Sequence, residues 1–210
     1  MKKIVSFMLV LTLILNAFTL VSAEQNQQPK IIVKDGLVVP DEVIQDIIRT
    51  NPDAGQITLL EYGTFNKNNI EPYAINTKRY FNIVKNVTKS DILVKDSFVT
   101  SVAKGQSKTL SASWTESLSC SISGEISSTK LGISKSISKT YTKTDRFDGP
   151  PENSPYNSRE FRVKFYQDKG TYTADWIDGN CATFCTQGTE SGSYTEPTYF
   201  YAYSVDRNIR

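Results

Sequence analysis

Histidine is absent from the 210-residue sequence. Without it the chain cannot form a Ser–His–Asp or Cys–His catalytic arrangement, and it also lacks a nucleophile elbow, an HExxH motif and a phosphate-binding glycine loop. The carboxylates that might form a glycosidase pair fall at predicted turns, where acidic side chains bond the local backbone: Asp145, Asp148, Glu152, Asp175 and Asp178. We therefore expect a protein that is not an enzyme and that needs no cofactor.

Cysteine is scarce, with only Cys120, Cys181 and Cys185 in the chain. Cys181 and Cys185 are four residues apart, which favours a local disulfide across a bend, although a straight strand would hold them too far apart. A zinc site is the weaker alternative, because there is no second cysteine pair. The stretch DWIDGN (175–180) lacks the alternating acids of a calcium loop, so we predict no metal site. Cys120 lies on the apolar side of an alternating stretch and is interpreted as a buried free thiol.

The chain also lacks an excess of either charge once its first residues are set aside. Residues 1–23 have the order of a secretory signal: a basic start, an apolar run and the small-residue site Val21-Ser22-Ala23. A retained membrane anchor is the alternative, but the polar residues after Ala23 favour cleavage. Without Lys2 and Lys3 the 24 basic residues become 22, equal to the 22 acidic ones. We expect a secreted, extracellular protein that does not bind nucleic acid, and the short Lys-Lys start is typical of bacterial chains.

One helix is predicted, in the sequence PDEVIQDIIRTN at residues 40–51. Asp41 and Glu42 favour its positive N-terminal end, and Asn51-Pro52 ends it. An apolar stripe runs along one side: Val43, Ile44, Ile47 and Ile48. A helix this short is unstable alone, so we expect the stripe to pack on a sheet.

The remaining chain is rich in tyrosine, phenylalanine, serine and threonine, which is typical of strands. Residues 24–210 are predicted to form one mainly β, antiparallel domain with a short N-terminal helix and a long Ser/Thr-rich amphipathic hairpin. A short polar turn should separate strands at 78–87 and 91–102, and a hairpin turn at Asp168-Lys169-Gly170 should join two more. Further strands are predicted at 30–39 (two, around a turn), 56–63 and 198–205.

The most regular pattern is TLSASWTESLSCSISGEIS, residues 109–127. Small polar side chains occupy nearly every odd position and mostly apolar ones the even positions, as in a two-faced strand. Residues 131–144 continue the pattern, so a hairpin spanning 107–144 is predicted. A tight reversal at Ser128-Thr129 would place Glu116 opposite Tyr141, and Cys120 opposite Ile137, with like faces aligned.

The apolar side of this hairpin is a membrane face or a packing face, and the sequence leaves both open. Arms longer than about 9–11 residues could span a membrane with the hydroxyl side lining water, as in a multi-chain barrel. Glu116, Lys135 and Lys139 lie on the apolar side, however, where each lysine would cost about 2–4 kcal/mol near the bilayer midplane. Packing against neighbouring strands is therefore favoured for the resting state. The face comprises Leu110, Trp114, Leu118, Ile122, Ile126, Leu131, Ile133, Ile137 and Tyr141.

Residues 96–145 resemble the insertion hairpins of the aerolysin and epsilon-toxin class of β-pore-forming proteins. Those hairpins are Ser/Thr-rich and belong to elongated, β-rich folds. The resemblance is one of pattern. It implies a secreted soluble monomer that oligomerises on a target membrane and inserts this hairpin.

Aromatic residues near the C-terminus are candidates for a sugar-binding platform, although strand aromatics more often pack in the core: Trp176, Tyr199, Tyr201 and Tyr203. Two hypotheses of function follow from the sequence. The first is a non-enzymatic secreted protein that binds at a cell surface or envelope, with a glycan or membrane as partner. The alternative is a membrane-active, pore-forming-like protein that inserts residues 107–144 and acts as an oligomer.

Overall fold

The computed structural model describes residues 28–64, 78–179 and 185–209, so the predicted signal at 1–23 lies outside the described residues. Two helices occur in this part of the chain, α1 (Asp41–Thr50) and the one-turn α2 (Ser128–Leu131). The strands are β1 (Lys30–Val33), β2 (Gln56–Thr64), β3 (Lys78–Ala103), β4 (Ser107–Thr109), β5 (Trp114–Ser119), β6 (Ser121–Ile122), β7 (Ser136–Tyr141), β8 (Arg146–Asp148), β9 (Ser158–Asp178) and β10 (Gln187–Arg207).

Five strands form the main sheet in the order β1-β2-β10-β9-β3, and the short β6 adds to the edge of β10. Only β1 and β2 are parallel, and the other pairs are antiparallel. Two further two-stranded ladders, β4 with β8 and β5 with β7, lie outside the main sheet. The prediction of a mainly β, antiparallel fold with a short N-terminal helix is confirmed.

Helix α1 covers one face of the main sheet, where the predicted stripe packs. Val43 and Ile47 are buried among aliphatic and tyrosine side chains of β2, β9 and β10: Ile57, Leu59, Tyr166, Tyr201, Tyr203 and Val205. Burying apolar surface contributes a favourable free energy of about 25 cal/mol for each square ångström. This contribution gives the short helix the stability that its own hydrogen bonds do not provide.

A buried polar group fastens α1 to the sheet. The Asp46 carboxylate accepts hydrogen bonds from the hydroxyls of Tyr166 and Tyr201, the second at 2.7 Å. Lys164, which has no exposed surface, donates to the Thr50 hydroxyl at 2.5 Å and lies 3.5 Å from Asp46. Burial lowers the pKa of Lys164, and Asp46 opposes this change. The lysine is thus tied to both the carboxylate and the helix end.

The predicted turn between residues 87 and 91 is wrong, because β3 continues through it as one 26-residue strand. The irregular residues are accommodated as bulges against β9. Asn82 and Asp91 have positive φ angles of 48° and 53°, which these residue types tolerate. Asp91 is held there by its N–H, which donates to the Asp168 carboxylate at 3.0 Å.

The predicted hairpin turn at residues 168–170 is also wrong, since β9 passes through it without a break. Gly170 is required here for close packing: a Cβ would lie 2.5 Å from Cζ of Tyr194 and 2.6 Å from the Asn86 carbonyl oxygen. Strand β10 likewise begins 11 residues before the predicted strand at 198–205. In the predicted strand–turn–strand at 30–39 only the first strand, β1, forms.

Candidate functional site: a ribbon folded onto the sheet

Residues 107–148, between β3 and β9, leave the main sheet and return to it as a two-stranded ribbon. We call this stretch the ladder segment (107–148). Thr109 lies opposite Arg146, and Trp114 lies opposite Tyr141, five residues further along each arm. The two short ladders therefore share one register. The arms (107–119 and 136–148) form the predicted hairpin, but their register and reversal differ from the prediction.

Glu116 lies opposite Lys139, not Tyr141, so the register is shifted by two residues. A shift of two keeps each side chain on its face, which is why the separation into polar and apolar sides still holds. The tight reversal at Ser128-Thr129 is wrong, because these residues begin helix α2. The predicted pair of Cys120 with Ile137 does not form, since Ile137 faces Leu118.

Residues 120–135, which we call the tip, fold onto the main sheet in place of the reversal. Ser121 and Ile122 pair with Thr195 and Tyr194 at the edge of β10. The apolar residues of the tip bury against tyrosine and alanine side chains of β9 and β10: Ile126, Leu131, Ile133, Tyr172, Ala174 and Tyr194. Contact with the sheet therefore competes successfully with pairing inside the hairpin.

All nine residues of the predicted membrane or packing face lie against the core in this structure. Leu118, Ile126, Leu131, Ile133 and Ile137 are buried. The partly buried residues pack on the same apolar clusters of the sheet: Leu110, Trp114, Tyr141 and Ile122. The hydroxyl side faces solvent, and Thr115 and Thr140 share a 3.0 Å hydrogen bond across the arms.

Two of the charged residues on the apolar side, Glu116 and Lys139, pair with the main sheet. Glu116 accepts hydrogen bonds from Lys95 at 2.6 Å and Ser97 at 3.3 Å, both on β3. The Lys95 bond is the main cause that lowers the pKa of Glu116. Lys139 forms an ion pair with Glu61 of β2. Because Glu116 and Lys139 have partners on the sheet, the apolar side of the arms can pack there despite these charges.

The tip is held through its main chain by a carboxylate of β10. Glu190 accepts hydrogen bonds from the N–H groups of Glu125 at 2.9 Å and Ile126 at 3.3 Å. It also accepts from the hydroxyls of Tyr80 at 2.8 Å and Tyr172 at 2.7 Å. The carboxylate thus joins β3, β9, β10 and the tip at one point.

A second carboxylate of β10 holds the other end of the tip. Glu196 accepts from the Ser134 N–H at 3.0 Å and from its hydroxyl at 3.2 Å. Neither Glu190 nor Glu196 is among the predicted site residues, because their stretch, GTESGSYTEP (188–197), is rich in residues typical of turns. A signal for them is present in the sequence. Glu190, Gly192, Tyr194 and Glu196 occupy every second position, so in a strand they lie on one side.

Glycine permits the close approach of the tip to the sheet. Gly124 has a φ of +120°, and a Cβ there would lie 2.2 Å from the Tyr172 hydroxyl and 2.3 Å from a Glu190 oxygen. A Cβ at Gly192 would lie 2.3 Å from the Ser123 carbonyl oxygen. At Gly124 and Gly192 the tip and the sheet therefore lie so close that backbone atoms fit between them but side chains do not.

The structure describes two of the three cysteines, Cys120 and Cys185. Cys120 is a free, partly buried thiol at the base of the tip, and burial raises its pKa. Its N–H donates to the Lys135 carbonyl at 2.8 Å, across the point where the two arms end. Cys185 is described but Cys181 is not, so their disulfide stays a prediction.

The candidate ligand aromatics are spread over the sheet. Tyr201 and Tyr203 are 0% exposed and belong to the cluster under α1, so neither ring offers a face for stacking. Tyr199 is stacked on Tyr166 with ring centroids 4.7 Å apart. Trp176 is partly exposed, with the Lys78 ammonium 4.4 Å from its ring centroid. No single platform brings the four together.

Within the described residues, no group of three or more Cys, Asp or Glu side chains is arranged to hold a metal ion. No helix in the same residues is both long enough and apolar enough to cross a bilayer. Comparisons with protein-family models, curated proteins and solved structures find no significant match.

Proposed function

We propose that this protein is membrane-active and that the ladder segment leaves the main sheet to enter a bilayer. The observation that carries the proposal is the position of the arms, which form their own ribbon on top of the sheet. Release of the ladder segment leaves every strand pair of the five-stranded sheet intact. It breaks the two-residue ladder between β6 and β10. The apolar side that is buried on the sheet would then face lipid.

The dimensions of the ribbon support this proposal. Each arm spans 13 residues in one register, at 107–119 and 136–148, of which 107–109 and 114–119 are paired with 146–148 and 136–141. A strand needs about 9–11 residues to cross the hydrocarbon core. Its exposed hydroxyl side would face water, and its apolar side would replace contacts with the sheet by contacts with lipid chains.

The register also reduces the expected cost of the charged residues. Glu116 and Lys139 are directly opposite each other but use partners on the main sheet, Lys95 and Glu61. Once the ribbon leaves the sheet, the acid and the base can pair with each other. A neutral cross-strand pair costs less in lipid than two separate charges.

Two engineered disulfides test the proposal in a Cys120→Ser background. Ser121→Cys with Thr195→Cys would join the tip to β10, because these residues are directly opposite and their hydroxyls are 2.9 Å apart. Ser117→Cys with Ser138→Cys would join the two arms but leave the ribbon free to depart. The readout is dye release from phosphatidylcholine vesicles, with and without cholesterol and phosphatidylserine.

We expect the arm-to-arm disulfide to permit leakage, and the tip-to-sheet disulfide to block it until a reductant is added. Leakage by the oxidised tip-to-sheet variant would contradict release of the ribbon. Absence of leakage by the parent protein from all these vesicles would contradict membrane activity.

Non-enzymatic binding at a cell surface is the second candidate, favoured by the exposed apolar residues of the edge strand β3. Val84 is 65% exposed and Phe98 is 50% exposed. Binding of the oxidised tip-to-sheet variant to intact cells and to purified cell-wall glycan tests this candidate. We expect Val84→Thr with Phe98→Ser to weaken the binding, and unchanged binding would reject this strand as the recognition surface.

A further inference from the structure

Two carboxylates on one strand hold the tip, Glu190 at residues 125–126 and Glu196 at Ser134. We propose that Glu190 is an acid-sensitive latch, which keeps the tip on the sheet at neutral pH and loosens it when protonation removes the charge that attracts the N–H groups. The inference deepens the proposed function, because it names the signal that starts release of the ladder segment.

The geometry at Glu190 is specific for an ionised group. Its two oxygens accept from four donors: the N–H groups of Glu125 and Ile126 and the hydroxyls of Tyr80 and Tyr172. A carboxylate only accepts hydrogen bonds, whereas a carboxylic acid carries a proton that must itself find an acceptor. Protonation would therefore weaken charge-assisted bonds and crowd a fifth hydrogen into the site.

The pKa of Glu190 changes in the direction that the latch requires. Partial burial raises it, but the hydrogen bonds from Tyr172, Tyr80 and the tip outweigh burial, and the pKa lies below the ordinary value of 4.5. A carboxyl with a depressed pKa stabilises the docked state above 4.5, and this contribution is lost as the pH falls below that value. The opening is thus expected in acid.

The charged and titratable groups around Glu190 stay in place during this step. Burial, together with the hydrogen bond to Glu190, raises the pKa of Tyr80 and of Tyr172, so both remain neutral donors. Glu125 of the tip forms a 2.6 Å ion pair with Lys78.

Glu196 faces a different set of groups. Its Ser134 contacts join the returning end of the tip to β10. The Cys120 thiol lies near both the Lys135 ammonium and this carboxylate. Burial, together with the charges of Glu196 and Asp168, raises the pKa of Tyr194, so its hydroxyl stays neutral.

Hydrogen exchange of the full-length protein in solution tests the latch without any membrane. Protection factors, corrected for intrinsic exchange at each pH, are measured between pH 7 and pH 3.5. Glu190→Gln with Glu196→Gln removes both negative charges, because an amide is neutral and similar in shape. Glu42→Gln on α1, an exposed residue away from the tip, is the matched control.

We expect protection of residues 120–135 to fall by about tenfold or more below pH 4.5, while residues 41–50 and 158–166 keep theirs. The double variant should show the loose tip already at pH 7, and Glu42→Gln should behave like the parent. Tip protection that is unchanged down to pH 3.5, or lost only together with residues 41–50, overturns the latch. So does full tip protection in a folded double variant. If the double variant does not fold, the profile of the parent protein decides.

Vesicle leakage separates this inference from the proposed function. Leakage that is faster at pH 4 than at pH 7, and equally fast at both in the double variant, supports the latch as a trigger. Equal leakage at both pH values in the parent overturns its role as a trigger and leaves membrane activity standing. An acid-loosened tip without leakage at either pH removes membrane activity and leaves the latch.

Discussion

Helix α1 covers one face of the main sheet and the arms of the ladder segment pack on the other, with different polar contacts under each cover. Beneath α1 the polar groups meet inside an apolar cluster, where buried Lys164 faces Asp46 and two tyrosines. Beneath the ladder segment they lie mostly at the rim, as the pairs Lys95–Glu116 and Lys139–Glu61. A charge that is buried without its partner is costly, whereas a partly exposed ion pair contributes little.

The two covers differ in which contacts must be broken to remove them from the sheet. Removing α1 would expose the cluster of Ile57, Leu59 and Tyr203 and separate buried polar partners at the same time. Removing the tip also exposes apolar side chains such as Leu131 and Ile133, but its main-chain N–H groups only exchange carboxylate acceptors for water, which is an acceptable partner. We infer that α1 is a permanent part of the fold and that the ladder segment is the releasable one.

The largest effect is expected from breaking the polar group under α1. Asp46→Ala would leave the ammonium of buried Lys164 without its carboxylate and remove the acceptor of Tyr166 and Tyr201. We expect a loss of about 3–5 kcal/mol in the free energy of unfolding, measured by urea denaturation. The exposed Asp53→Ala is the control, with a change below about 0.5 kcal/mol. A loss under about 1 kcal/mol for Asp46→Ala would mean that this cover is not fastened by the buried group.

The next effect should appear only under the ladder segment. Leu131→Ala removes a buried side chain of the tip, and we expect docking of the tip to weaken by about 2–5 kcal/mol. Hydrogen exchange should show the loss in residues 120–135 and not in residues 41–50. Leu93→Ala, which changes an exposed leucine of β3, should have little effect on either region. Equal loosening of both regions would show that the covers unfold as one unit.

A smaller effect is expected from the close approach of the tip. Gly124→Ala would place a Cβ against Tyr172 and Glu190, whereas Gly132→Ala, also at a positive φ, meets nothing within 4 Å. Both variants bear backbone strain, which is larger at Gly124 because its φ of +120° lies outside the left-handed α region, so their difference combines this strain with the contact. We expect Gly124→Ala to weaken docking by about 1–3 kcal/mol more than Gly132→Ala, measured by exchange of the tip. Equal effects would show that the contact yields easily.

The smallest effect is expected at the rim. Glu116→Gln removes an ion pair in which about a third of each side chain is exposed, so stability at pH 7 should fall by less than about 1 kcal/mol. Because the Lys95 bond lowers the pKa of Glu116, the pair contributes above the ordinary value of 4.5 and less below it. The difference in urea midpoint between parent and variant should therefore shrink as the pH falls from 5 to 3. A constant difference down to that pH would assign the effect to packing.

The sequence predicted well those features that depend on period and local chemistry. Alternation separated the hydroxyl and apolar sides of the arms, and apolar spacing located α1 from Asp41 to Thr50. It failed at turns, because residues with high turn propensity serve other purposes here. Gly170 makes room for Tyr194 within a strand, and Asp91 supports a bulge. A local turn preference is weak compared with the many hydrogen bonds of a 21-residue strand.

The alternating sequence by itself determined that the paired strands at 114–119 and 136–141 have two faces, since successive side chains of a strand point to opposite sides whatever lies nearby. Only the tertiary structure decided what the apolar side touches, where the hairpin reverses, and that Glu190 and Glu196 hold its tip. Those choices depend on contacts between residues about 60 positions apart, as from Ser134 to Glu196. No local pattern encodes them, because the free energy of each contact depends on the surface that the folded sheet presents.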